Sequence, residues 1–178
     1  MPLSKNQRKL YLRRVILAVF VVFTAMAQNV PWLPAIFGIR ALPLIPLVVT
    51  IAVLDTEPAA IGAGFFAGVF WDLSANAHGL HAIFCTCTAF AVAMLMRYLL
   101  NRNRIAVFLL SACAVAFYLF AHWMTAHVFS GHDLPIYLFV RYYLPSFVYT
   151  ILFLPIDYLL VNAVVRRTSR RKGGVLAQ

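Results

Sequence analysis

Gly64-Phe-Phe-Ala-Gly68-Val-Phe-Trp-Asp72-Leu-Ser-Ala-Asn76-Ala-His78-Gly79-Leu-His81-Ala82 sets one carboxylate in an otherwise apolar run that reads as a membrane-spanning helix. A charge at membrane depth costs several kcal/mol unless it is paired or reaches an aqueous boundary. Gly64 and Gly68, four residues apart, leave one helix face almost bare, so a neighbouring helix can approach backbone to backbone. Asp72 continues that face one turn further. The stretch therefore reads as a packing surface that ends in a buried polar anchor and turns at Gly79.

The surrounding composition fixes the class. With 63% hydrophobic and 11% charged residues in 178, and a mean hydropathy of +0.87, the chain is an all-α polytopic membrane protein with no segment polar enough for a soluble domain. The net charge of +10 raises the question of nucleic acid, but its distribution argues against that partner. Basic residues gather in a head (Lys5, Arg8, Lys9, Arg13, Arg14), a loop (Arg97, Arg102, Arg104) and a tail (Arg166, Arg167, Arg170, Arg171, Lys172), which together hold 13 of the 15. Clusters flanking apolar runs are cytoplasmic under the positive-inside rule, where they also meet anionic lipid.

Hydropathy and breakers predict six spans: roughly 15–32, 37–54, 59–73, 80–100, 105–128 and 136–165. The second is interrupted by Pro43 and Pro46, and the second and third are short for a bilayer. An even number of spans puts both termini, and all three basic clusters, on one side. The expected organisation is a basic cytoplasmic head (1–14), a six-span domain (15–165) and a basic cytoplasmic tail (166–178).

Chemistry is sparse. Cys85, Cys87 and Cys113 lie in apolar spans without a CxxC pair and read as small buried residues. His78 and His81 flank Gly79 near Asp72, too few ligands to argue a metal site. His122, His127 and His132 are five apart, which in an α-helix turns each off the face of the last. No nucleophile motif or phosphate loop is present, so neither catalytic residues nor a cofactor is expected. For Asp72 the expected partner is an arginine, Arg141 in preference to Arg40; for Asp157 it is Arg97, Arg104, Arg166 or Arg167. Trp32, Trp71, Trp123, Tyr118, Tyr137, Tyr142 and Tyr143 read as an interfacial belt at the outer boundary.

The order Gly64, Gly68, Asp72, Leu73, Gly79, His81, Ala82, set in a short six-span chain with basic tails, resembles the rod shape-determining protein MreD family. The resemblance implies a noncatalytic component of the bacterial inner membrane. Its expected partners are an MreC-like protein, a RodA-type glycosyltransferase with its transpeptidase, and MreB filaments of the cell-elongation, peptidoglycan-synthesising machinery. It also implies a six-helix bundle resembling the S components of energy-coupling-factor transporters. Two functions follow. In the first, the chain is a scaffold whose Gly64, Gly68 and Gly79 region forms a helix-packing or partner interface, with Asp72, Arg141 and Arg40 as buried polar anchor. In the second, it binds a vitamin-sized molecule in an outward cavity that Asn76, His78 and His81 help to line.

Overall fold

A computed structural model describes residues 5–29, 39–75, 79–99, 103–129 and 135–169. Its helices are α1 (Lys5–Asn29), α2 (Leu44–Leu54), α3 (Glu57–Ala75), α4 (Leu80–Tyr98), α5 (Arg104–Trp123), α6 (Pro135–Leu138) and α7 (Leu144–Ser169). π-Helical turns at Met124–Val128 and Phe139–Tyr143 extend α5 and join α6 to α7. Five of the described segments are long and apolar enough to cross a membrane: Gln7–Asn29, α3, α4, Arg104–Val128 and Ile136–Arg167. Large apolar side chains on their outer faces, among them Phe23, Phe65, Ile83, Phe90, Leu109, Phe117, Leu152 and Leu159, are exposed in the isolated chain. Helices that are apolar all round suit hydrocarbon rather than water, which makes the chain an all-α polytopic membrane protein.

The second predicted span is the exception. Pro43 stands at the helix start, where a missing N–H costs nothing, and only the 11 residues Leu44–Leu54 are helical, about 16 Å of rise. Leu44 to Val53 are all buried, so α2 is the core about which the longer helices pack. Its apolar side chains meet Leu17, Val21 and Ala25 of α1, Ala67 and Trp71 of α3, Ala89 of α4, and Val115 and Leu119 of α5. A short apolar helix of this length reads as core rather than as a lipid-facing span.

Polar ties at its two ends fix its direction. At the start, the Gln28 Oε1 accepts from the Leu44 N–H at 3.2 Å, and Thr150 Oγ1 of α7 accepts from the Leu42 N–H at 3.0 Å. At the finish, Asp55 takes Arg13 Nε at 2.7 Å in a buried ion pair. Gln28 and Arg13 are 15 residues apart on α1, about 22 Å. α2 thus runs back along α1. The bundle has a basic end, with Arg13, Asp55, Glu57 and Arg97, and an aromatic end, with Trp71, His81, Tyr118, His122 and Tyr143.

Two expectations about composition change here. Cys85 is buried, but Cys87 and Cys113 are exposed on outer faces, because each lies on the side of its helix turned from the core. Trp71, 4% exposed, and Tyr118 belong to an interior cluster rather than to a belt, whereas Tyr137 and Tyr142 are exposed as a belt requires. Trp32 lies outside the described residues.

Candidate functional site

The two glycines of the opening stretch face α4. A Cβ on Gly64 would lie 2.6 Å from the Cys85 carbonyl oxygen and 2.8 Å from the Ala89 Cβ, and one on Gly68 would fall on the backbone of His81 and Ala82. These contacts are within the chain. Only glycine lets the two backbones come this close, and the small residues Ala82 and Ala89 complete the fit. Gly79, at φ +84°, holds the left-handed turn that starts α4 and has open space around it.

Asp72 ends this contact. At 7% exposed, its Oδ2 accepts from the Ala82 N–H at 2.8 Å, and its Oδ1 from the His81 N–H at 3.1 Å and from the His81 Nδ1–H at 2.8 Å. The expected arginine partner is therefore replaced. α4 begins at a glycine with no side chain to cap it, and the carboxylate of the preceding helix satisfies two of the free first-turn amides. The anion sits at the positive end of the α4 dipole as well. A helix N-terminus plus one imidazole solves the charge problem that was assigned to Arg141 or Arg40.

His81 carries the network onward. Its ring stacks on Trp71 (centroids 4.3 Å apart, planes at 21°), and its Nε2 lies 2.9 Å from the Tyr118 hydroxyl on α5. With Nδ1–H donating to Asp72, Nε2 accepts and Tyr118 donates. Asp72, His81 and Tyr118 thereby tie α3, α4 and α5 at one level.

A second histidine–tyrosine group adjoins it. His122 Nδ1 lies 2.8 Å from the Tyr143 hydroxyl, and the His127 ring packs edge-on against Tyr143 at 5.7 Å. The α-helical expectation that these histidines point apart is corrected by the π-helical turn Met124–Val128. Its wider i→i+5 register, seen in Phe129 N–H to Met124 C=O at 3.0 Å, brings residues five apart onto one side. His132 lies outside the described residues.

Beside these rings is a cavity of about 690 Å3, lined among others by Gln28, Arg40, Trp71, His81, Tyr118 and His122. Of the expected ligand-lining residues, His81 is present, while Asn76 and His78 lie outside the described residues. Asp72 stands behind His81, and Arg141 is exposed on the π-helical turn before α7; neither lines the cavity. Arg40 does line it, its backbone carbonyl fixed by Ser146 Oγ at 2.7 Å. Among the described residues no group of three or more His, Cys, Asp or Glu is placed to hold a metal ion.

The basic end holds residues whose pairing the sequence did not disclose. Arg13 and Asp55 form the buried pair already described, and Arg97 Nη1 meets both Glu57 oxygens at 3.0 and 3.1 Å. Arg97 is thus committed to α3 rather than to Asp157. Asp157, 6% exposed on α7, leaves its Oδ2 without a partner among the described residues. Between α1 and α3 lies an open groove of about 530 Å3, lined by Tyr11, Arg14, Val15 and Ala18 of α1 and Ala59, Gly62, Ala63 and Phe66 of α3, with the buried Leu17, Val21 and Ile51 also on its lining. A Cβ on Gly62 would meet nothing within 4 Å.

Comparison of the sequence with curated proteins and with solved structures finds no match. The family model for rod shape-determining protein MreD matches residues 8–164. That match takes in α1 through most of α7, including the Gly64–Gly68–Asp72 joint, and the chain belongs to the MreD family, whose role is rod shape determination.

Proposed function

We propose that the chain is a noncatalytic scaffold of the cell-elongation machinery, binding the transmembrane helix of an MreC-like partner in the groove between α1 and α3. RodA-type glycosyltransferase, its transpeptidase and MreB filaments are the further members of the assembly. One observation carries the choice of surface: Gly62 faces free space across from α1, whereas Gly64 and Gly68 are consumed inside the bundle. Association in lipid depends on close backbone approach, and Ala59, Gly62 and Ala63 offer it. The groove is apolar with the cation Arg14 at its basic end, so it suits a single apolar helix bearing an acidic residue at that boundary.

The orientation belongs to the same proposal: the basic end faces the cytoplasm, both termini included, in the bacterial inner membrane. Cysteines introduced at Ser4 and Ala177 should then resist a membrane-impermeant thiol reagent added outside, and one at Ser130 should react. The reverse pattern would overturn the orientation. For the partner, Gly62→Leu puts bulk into the groove from a position where a Cβ meets nothing within 4 Å. It should cut co-purification of the MreC-like protein at least tenfold and round up rod-shaped cells, at wild-type yield of the chain itself. Undiminished recovery of the partner with Gly62→Leu, or normal cell shape after depletion of the chain, would refute the reading.

A further inference from the structure

Gln28, one of the residues that line the cavity at the aromatic end, carries a donor that the packing leaves over. Gln28 is 5% exposed; its Oε1 is engaged by the Leu44 N–H, and its Nε2 is buried with no partner among the described residues. A buried amide donor without an acceptor is rare and destabilising, and an acceptor supplied from outside removes the deficit. Arg40 lines the same cavity with its side chain exposed.

The carboxylate nearest the cavity and the His81 ring are already occupied. No Asp or Glu is among the described residues that line the cavity, and the oxygens of Asp72 are taken up by His81 and Ala82. Both ring nitrogens of His81 are engaged, and so is His122 Nδ1. What remains is the unpartnered Gln28 amide and one cation beside walls of Leu42, Trp71, Phe84 and Tyr118. A site of this kind takes an acceptor-rich anionic head on an apolar body.

We propose that this cavity binds an amphipathic anion, its phosphate or carboxylate head held by Gln28 Nε2 and Arg40 and its apolar portion laid against Trp71, Phe84 and Tyr118. The cavity sits where α1, α3 and α5 end and α4 begins, at the level of a membrane boundary, so the anion arrives either as a lipid headgroup or as a soluble amphiphile. It lies at the opposite end of α1 from the groove lined by Tyr11 to Val21. Loss of the anion and loss of the partner helix are therefore separable.

The test is native mass spectrometry of the full chain, delipidated in dodecyl maltoside and offered dioleoylphosphatidylglycerol, dioleoylphosphatidylcholine or, in a separate arm, octanoate. Gln28→Glu keeps an acceptor for the Leu44 amide but puts an oxygen where the free donor was. Arg40→Gln removes the cation and keeps the backbone carbonyl that Ser146 holds. Retention of phosphatidylglycerol should exceed that of phosphatidylcholine about tenfold and fall about tenfold in each variant. Octanoate bound with the same dependence on Gln28 and Arg40, without phosphatidylglycerol selectivity, assigns the site to a soluble anion. Retention of neither anion, equal retention of the zwitterionic lipid without octanoate binding, or full binding by an Arg40→Gln protein of unchanged melting temperature would overturn the assignment.

Discussion

α3 presents two glycine-bearing faces with opposite fates. Toward α4, Gly64 and Gly68 are pressed against backbone and the contact closes on a carboxylate that caps the next helix. Toward α1, Gly62 opens on free space. The residue type is the same, and so is the benefit of a missing side chain, but the first face is spent on holding the bundle and the second is left for something else. A glycine spacing by itself does not say which; the polar group at the end of the row does, because Asp72 needs donors that only a neighbouring segment supplies.

The sharpest way to break this contrast is Gly68→Leu. The new side chain would occupy the place of the His81 and Ala82 backbone, so α3 and α4 cannot close, and folded protein recovered in detergent should fall to a small fraction of wild type. Wild-type yield would mean the two faces do not differ. Next comes Asp72→Asn, which keeps one acceptor but turns an NH2 toward an amide N–H. Loss of about 1–3 kcal/mol is expected, read as a lower melting temperature in detergent. Arg97→Gln serves as its control, since that pair is exposed and is worth about 0–1 kcal/mol. Equal melting temperatures for these two variants would remove the capping role of Asp72.

Smaller changes sharpen the comparison. Gly64→Ala adds one carbon within 2.6 Å of the Cys85 carbonyl oxygen, so it should cost about 1–3 kcal/mol as overpacking does elsewhere. Gly62→Ala should leave stability unchanged or raise it by up to about 1 kcal/mol, since its Cβ meets nothing within 4 Å and Ala is the better helix former, read as an equal or higher melting temperature. If Gly62→Ala proved as harmful as Gly64→Ala, the groove between α1 and α3 would be closed in the folded chain.

The class of the protein and the places of its long helices were legible because hydropathy and proline report directly on what a bilayer accepts. The partner of Asp72 was not. Reading for charge led to Arg141 and Arg40, whereas backbone amides and one imidazole fill the role. The signal was present in Gly79-Leu80-His81-Ala82: a helix that starts on glycine, with no side chain of its own to cap it, must borrow an acceptor. Arg13–Asp55 was hidden for another reason, since it depends on the doubling back of α2 along α1, a matter of packing rather than of pattern. The His122–His127–Tyr143 group depends on a π-helical turn, and an α-helical wheel assigns its members to different faces. Gly62 could not be told from Gly64 and Gly68 by residue type alone; the packing of α4 separates them.

The shortness of α2 also bears on how the chain is made. Eleven residues give about 16 Å, roughly half of a hydrocarbon core, so α2 has no stable position of its own among lipid tails. The surfaces that bury it belong in large part to α5 and α7, which leave the ribosome after it. Early in synthesis the segment must wait, held to α1 by Gln28 at one end and Arg13 at the other, until the C-terminal helices arrive and enclose it. The placement of α2 is therefore settled by segments made after it, and a truncation that removes α7 leaves α2 without part of its cover.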